Sequence, residues 1–253
     1  MAKTGGNAKR IALIDELRGL SILLMVAYHA AYDLQSFFGT PVAALGWPVM
    51  RVLQPLFAGV FILISGISCR FSRSNLRRGA ITLAFGMGMT LATLILAIDD
   101  PIYFGILHLL GSCMVLYVLL RKPMEGLPPL PGAALMLVLF ALTYRIPAGE
   151  AGFPPFWRLP LPDALTITNW GLPLGFVRPD FQSPDYYPLL PWGFLFFGGA
   201  YLGLPLRQGR APAWVYSPRR GLLAAVGQHT LLIYLLHQPV LYGLFWLYFR
   251  LLK

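Results

Sequence analysis

Arg18 and His29 stand in one apolar stretch, Ile14 to Leu34, read IDELRGLSILLMVAYHAAYDL. Asp15, Glu16 and Asp33 lie in it as well. An ionisable side chain inside a bilayer costs on the order of a few kcal/mol, so it normally faces a bundle interior or water and marks a function. A helix turns about 100° per residue. Asp15, Arg18, Ser21, Met25, His29 and Asp33 are spaced by threes and fours and therefore share one face. Arg18 and His29 are eleven residues apart, about three turns and about 16 Å along the axis. One helix thus offers a fixed cation toward one membrane surface and a titratable imidazole toward the other. That suits a reaction whose two substrates arrive from opposite sides. The competing structural reading makes Asp15 and Arg18 an i,i+3 pair at a helix start, and His29 a packed, satisfied ring.

The chain that must hold these groups is 57% hydrophobic and only 12% charged, where a soluble domain carries about a quarter. It reads as an all-α, polytopic membrane bundle. The net charge of +10 sits in short loops beside apolar runs, which argues against nucleic acid as a partner and for membrane lipid. Cys69 and Cys113 fall inside or at the edge of apolar runs and give neither a disulfide framework nor a metal-ligand spacing. Basic residues precede the first apolar run, as in a signal peptide. Asp15, Glu16 and Arg18 interrupt that run and more spans follow, so the segment is expected to stay as the first membrane helix.

About seven spans are expected: 17–37, 48–69, 79–98, 102–120, 132–144, 188–205 and 230–248. Residues 1–10 form a short basic arm, and 11–253 a single membrane domain. A turn with Pro41 follows the first span, and a proline-rich turn to Pro131 precedes the fifth. Residues 145–187 are a long connection rich in proline, tryptophan and aspartate. Loops of that length are functional or disordered, and the aromatic content favours a folded lid or interfacial element. Gly199 and Gly203 form a GxxxG pattern that lets another helix approach closely. Residues 207–220 are a basic loop, and 221–229 an amphipathic entry to the last span.

Lysine and arginine placement sets the orientation. One face collects Lys3, Lys9, Arg10, Arg70, Arg73, Arg77, Arg78, Arg121, Lys122, Arg207, Arg210, Arg219 and Arg220. The other has Arg145, Arg158, Arg178, Arg250 and Lys253, with Asp99 and Asp100. The expected topology therefore puts the N-terminus in the cytoplasm and the C-terminus outside.

In this topology His29 and His108 fall in the outer half and His237 near the middle, while His229 lies on the cytoplasmic side. Arg51 and Gln54 sit at the outer start of the second span; Asp185, Tyr187 and Trp192 sit at the outer mouth of the sixth. Three histidines could hold zinc, but none shares a helix with another at ligand spacing, so no metal is expected. General acid–base chemistry suits an imidazole better. Asp33, one turn beyond His29, either orients that ring or is a helix-end carboxylate in water. On the inner face Arg70, Arg73, Arg77 and Arg78 follow the small-residue helix end SGIS, which includes Ser65. Arginine forks match phosphate oxygens, and a nucleotide or coenzyme A would suit them. The plainer reading is that they obey the positive-inside rule and touch anionic lipid.

The spacing of Arg18 and His29 within IDELRGLSILLMVAYH resembles the first-helix motif of integral membrane (type-3) acyltransferases. The finer resemblance is to bacterial relatives of the heparan-α-glucosaminide N-acetyltransferase catalytic domain. It is carried also by FILISGISCRFSRSNLRRG, YFGILHLLGSCM, DYYPLLPWGFLFFGGAYLG and GQHTLLIYLLHQPVL. The resemblance implies a multi-span enzyme of the inner membrane that takes an acyl group from cytoplasmic acyl-CoA, most simply acetyl-CoA, and passes it to a sugar amine or hydroxyl outside. His29 would be the catalytic base or transient acyl carrier. Arg18 and the arginines after the second span would hold the coenzyme's phosphates or the acyl carbonyl. His237 would line the same pocket. Arg18, Arg51 and Tyr32 are candidates to steady the developing oxyanion. Larger members have more spans, so a homodimer could supply a missing wall. The alternative class is a transporter or flippase, although no inverted repeat or paired broken helices are visible.

Overall fold

A computed structural model describes residues 11–40, 47–96, 101–218 and 221–252, with residues 47–51 and 252 as backbone only. The basic arm with Lys3, Lys9 and Arg10, the turn at Pro41, Asp99 and Asp100, Arg219 and Arg220, Lys253, and the side chain of Arg51 lie outside the described residues. Among the described residues there are eight α-helices: α1 (Ala12–Ser36), α2 (Trp47–Cys69), α3 (Asn75–Ile95), α4 (Ile106–Met124), α5 (Pro129–Thr143), α6 (Leu189–Arg207), α7 (Leu222–Gln228) and α8 (Thr230–Leu252).

Among the described residues, six helical segments are long and apolar enough to cross a membrane: Val52–Cys69, Asn75–Ile95, Ile106–Met124, Pro129–Ala148, Leu189–Arg207 and Thr230–Leu251. Leu91 and Ile95 of α3, and Leu244 and Leu251 of α8, are exposed. Lipid accepts such faces and water does not. The fold is thus an all-α polytopic bundle, as the composition indicates. α1 has 25 residues, ample length for a span at about 1.5 Å per residue. Its polar stripe sets it apart from the six.

Two compact units are formed, Met1–Ile64 with Ala211–Lys253, and Ser65–Arg210. In the first, α1 packs against α7 and α8. α1 and α7 meet backbone to backbone. A Cβ on Gly19 would collide with the Leu223 carbonyl, and one on Gly227 with the Asp15 carbonyl. The end of α1 is fixed to α8 by rings: Phe38 stacks on Phe249 at 5.0 Å and 13°, and also touches Tyr242 and Phe245. Pro239 lies inside α8. Lacking an N–H, it leaves the Leu235 carbonyl without its helical donor.

In the second unit α3 pairs with α4, α5 with α6, and α4 also touches α6. Leu109, Cys113, Phe196 and Ala200 are fully or almost fully buried there. A Cβ on Gly203 would come within 2.7 Å of the Ile67 carbonyl, so the second glycine of the GxxxG pattern admits the last turn of α2. α3 starts at Asn75 rather than 79 because the Ser74 hydroxyl accepts from the Arg77 N–H at 3.3 Å. The connection 145–187 is folded, as its aromatic content suggests. It holds 3₁₀ turns at Ile146–Ala148, Asp163–Leu165 and Leu172–Leu174, and an antiparallel hairpin of β1 (Glu150–Phe153) and β2 (Trp157–Pro160). Glu150 pairs with Arg145 and Arg158.

Candidate functional site

α1 and α8 bring two of the expected groups together. His29 sits on the polar face of α1 and His237 on α8, and their ring centroids are 5.0 Å apart at a tilt of 56°. Both rings are half-buried. His29 also meets Tyr28 edge to face at 5.5 Å. One turn further along α1, Asp33 is fully buried, and its Oδ1 accepts from the Gln238 Nε2 of α8 at 2.9 Å. The carboxylate is therefore held by α8. It neither sits in water nor bonds the His29 ring.

The His237 ring has a definite tautomer. Its Nδ1 lies 2.6 Å from the Tyr234 carbonyl, which can only accept. Nδ1 must carry the hydrogen, and in the neutral ring Nε2 is left with its lone pair. That Nε2 is buried and has no hydrogen-bond partner among the described residues. The same is true of Asp33 Oδ2 and Gln238 Oε1. Sequence reasoning did not single out Gln238 or Tyr234. The only available signals were the polar Gln238 beside His237 in YLLHQP, and a backbone carbonyl one helical turn earlier.

Arg18 lies on the same face of α1. Its guanidinium pairs with the buried Asp15 at 3.4 Å, the i,i+3 arrangement that the spacing allows. Tyr32 meets Phe37 edge to face at 6.2 Å, and Gln54 is half-buried on α2.

His108 belongs to the second unit, where the Gly105 N–H donates to its Nδ1 at 3.1 Å and its Nε2 faces the Thr90 hydroxyl at 3.3 Å. Both ring nitrogens are used, and the ring caps the start of α4. Asp185 supports the same helix start, where its Oδ2 accepts from the Ile106 N–H at 3.2 Å. Tyr187 and Trp192 are buried against each other at 5.2 Å, and Trp192 also meets Phe140 and Tyr144. His108, Asp185, Tyr187 and Trp192, expected toward the outer side, thus make packing contacts within the second unit. Nearby, Tyr186 donates to the Leu172 carbonyl at 2.7 Å, and burial pushes its hydroxyl pKa up.

The arginine cluster divides. Arg70 is 3% exposed, donates through Nε to the Ala200 carbonyl at 2.8 Å, approaches Glu125 at 3.6 Å and lies over the Tyr117 ring. It clamps α2 to α6. This corrects its grouping with the surface arginines, because the close glycine contact of α6 draws its stem inward. Arg73, Arg77 and Arg78 are exposed on the α2–α3 corner. Ser65 is half-buried on α2. Among the described residues, no three His, Cys, Asp or Glu side chains are grouped to hold a metal ion.

A family model described as "Heparan-alpha-glucosaminide N-acetyltransferase, catalytic" matches residues 10–239. No curated protein and no solved structure matches the chain.

Proposed function

Since the chain belongs to the heparan-alpha-glucosaminide N-acetyltransferase catalytic family, we propose that this membrane acetyltransferase takes its acetyl group from cytoplasmic acetyl-CoA and gives it to an amine or hydroxyl of a sugar outside. The observation that carries this reading is the His29–His237 pair. Two half-buried imidazoles in contact, one with a basic nitrogen unpartnered, can move a proton while an acyl group changes hands.

Arg73, Arg77 and Arg78 have the exposure and charge to meet the phosphates of a coenzyme. Arg18 completes a polar stripe on α1 that leads from a cation to an imidazole, about three turns away. The protein would sit in the plasma membrane, and the lysine and arginine distribution supports a cytoplasmic N-terminus and an outer C-terminus. The connection 145–187, with its folded hairpin, would then lie outside.

The test is thiol release from acetyl-CoA by the purified protein, with glucosamine as acceptor. Wild type should release coenzyme A thiol, and His29→Ala should lose about 10²–10⁴-fold in rate. Uptake of an amino sugar into vesicles without thiol release would make the protein a carrier instead.

A further inference from the structure

Three buried atoms on α1 and α8 have no hydrogen-bond partner among the described residues: Asp33 Oδ2, Gln238 Oε1 and His237 Nε2. Each is an acceptor. Gln238 uses its amide nitrogen on Asp33 Oδ1, which leaves its carbonyl oxygen. His237 uses Nδ1 on the Tyr234 carbonyl, which leaves a lone pair on Nε2. An ionised Asp33 can only accept. Gln238 and His237 are neighbours in sequence, and Asp33 is one hydrogen bond from Gln238. A buried acceptor without a donor costs about 1–3 kcal/mol, and these acceptors belong to the α1–α8 seam, where Gln238 meets Asp33 and His237 meets His29, so a group that brings several N–H or O–H donors would be favoured there.

We propose that Asp33, Gln238 and His237 are the docking point of the incoming nucleophile, and that His237 Nε2 takes its proton. This rests on the acyl-transfer reading and deepens it. An ammonium group brings three N–H donors to three acceptors, whereas a hydroxyl brings one. One proton passes from the ammonium to Nε2, leaving a neutral amine with a lone pair. The amine nitrogen bonds to the thioester carbonyl carbon as the carbon–sulfur bond breaks. The second N–H proton goes to the departing thiolate, which leaves as the free thiol. Nε2 later returns its proton to water. His29, in contact with His237 and outside this acceptor set, is left to act at the acyl group. Asp33 changes role accordingly, from orienting a ring to binding a substrate.

The experiment uses the full chain in lipid nanodiscs. Spectra of ¹⁵N-labelled histidines read the tautomer of His237 directly. A ring protonated at Nδ1 is expected, with an Nε2 signal that moves when glucosamine is added and moves less with glucose. A resting ring protonated at Nε2 overturns the proposal, and so does an equal response to both sugars. In kinetics, Gln238→Leu should raise KM for glucosamine about tenfold, the loss of one hydrogen bond. An equal rise in KM for acetyl-CoA would mark a merely structural residue and overturn it. His237→Ala should lose turnover and regain part of it with added imidazole; no regain with folded protein counts against Nε2 as the base. Should His237→Ala not fold, His237→Gln and the wild-type spectra decide. The spectra need no turnover. A wild type that releases no thiol, yet shifts at Nε2 with glucosamine, would sink the acyl-transfer reading and keep the docking point.

Discussion

Gln238 donates to Asp33 over 2.9 Å, although 205 positions separate them in the chain. The bond ties α8 to α1 next to the two imidazoles. A hydrogen bond between membrane helices contributes about 1 kcal/mol. Gln238→Leu should therefore lower the stability of the detergent-solubilised protein by about that amount, seen as a lower unfolding temperature. Asp33→Asn keeps an acceptor oxygen for Gln238 and should fall less. Equal losses would show that the carboxylate charge, and not the bond, matters for folding.

His29 and His108 should behave oppositely. His108 spends both nitrogens on the start of α4, so His108→Ala removes a cap, at a cost of about 1 kcal/mol. Turnover per folded molecule should stay within a small factor of wild type. His29→Ala should remain folded and lose about 10²–10⁴-fold in transfer rate. Size-exclusion profiles combined with thiol release separate the two outcomes. A catalytic loss at a well-folded His108→Ala would return that ring to the chemistry.

Gly19 and Gly227 let α1 and α7 touch through their backbones. A larger side chain at either must push the helices apart, because the obstructing atoms are carbonyls that cannot rotate away. Gly19→Leu or Gly227→Leu should cost about 3 kcal/mol or more, at the upper end of overpacking. The readout is the yield of monodisperse protein and its unfolding temperature.

Much of this architecture is legible in the sequence. Apolar runs of the right length give the helices, and the spacing on Ile14–Leu34 gives the polar face. The resemblance implies that His237 lines one pocket with His29, and in the structure the two rings lie 5.0 Å apart. What stays hidden depends on tertiary contact. His108 and His29 look alike in the sequence, because depth along a span says nothing about which ring nitrogen is already used. Arg70 looks like Arg73 in a charge count. Its fate turns on a glycine of α6, far along the chain, which draws the stem inward.

That contrast gives a further expectation. Arg70→Met should destabilise the protein by about 1–3 kcal/mol through the lost bond to the Ala200 carbonyl, with KM for acetyl-CoA unchanged. Arg77→Ala combined with Arg78→Ala should leave the unfolding temperature near wild type and raise that KM about tenfold, more at low salt than at high. If the double variant binds the donor normally, the surface arginines serve lipid or topology instead.

Pro239 gives α8 one more property. Helices yield where a rung of the backbone ladder is missing, and here the missing rung falls within a turn of the imidazole at position 237. The softest joint of this helix and its most reactive side chain therefore coincide. A modest bend there would re-aim that ring toward or away from its neighbour on α1, with no need for either helix to slide or unwind.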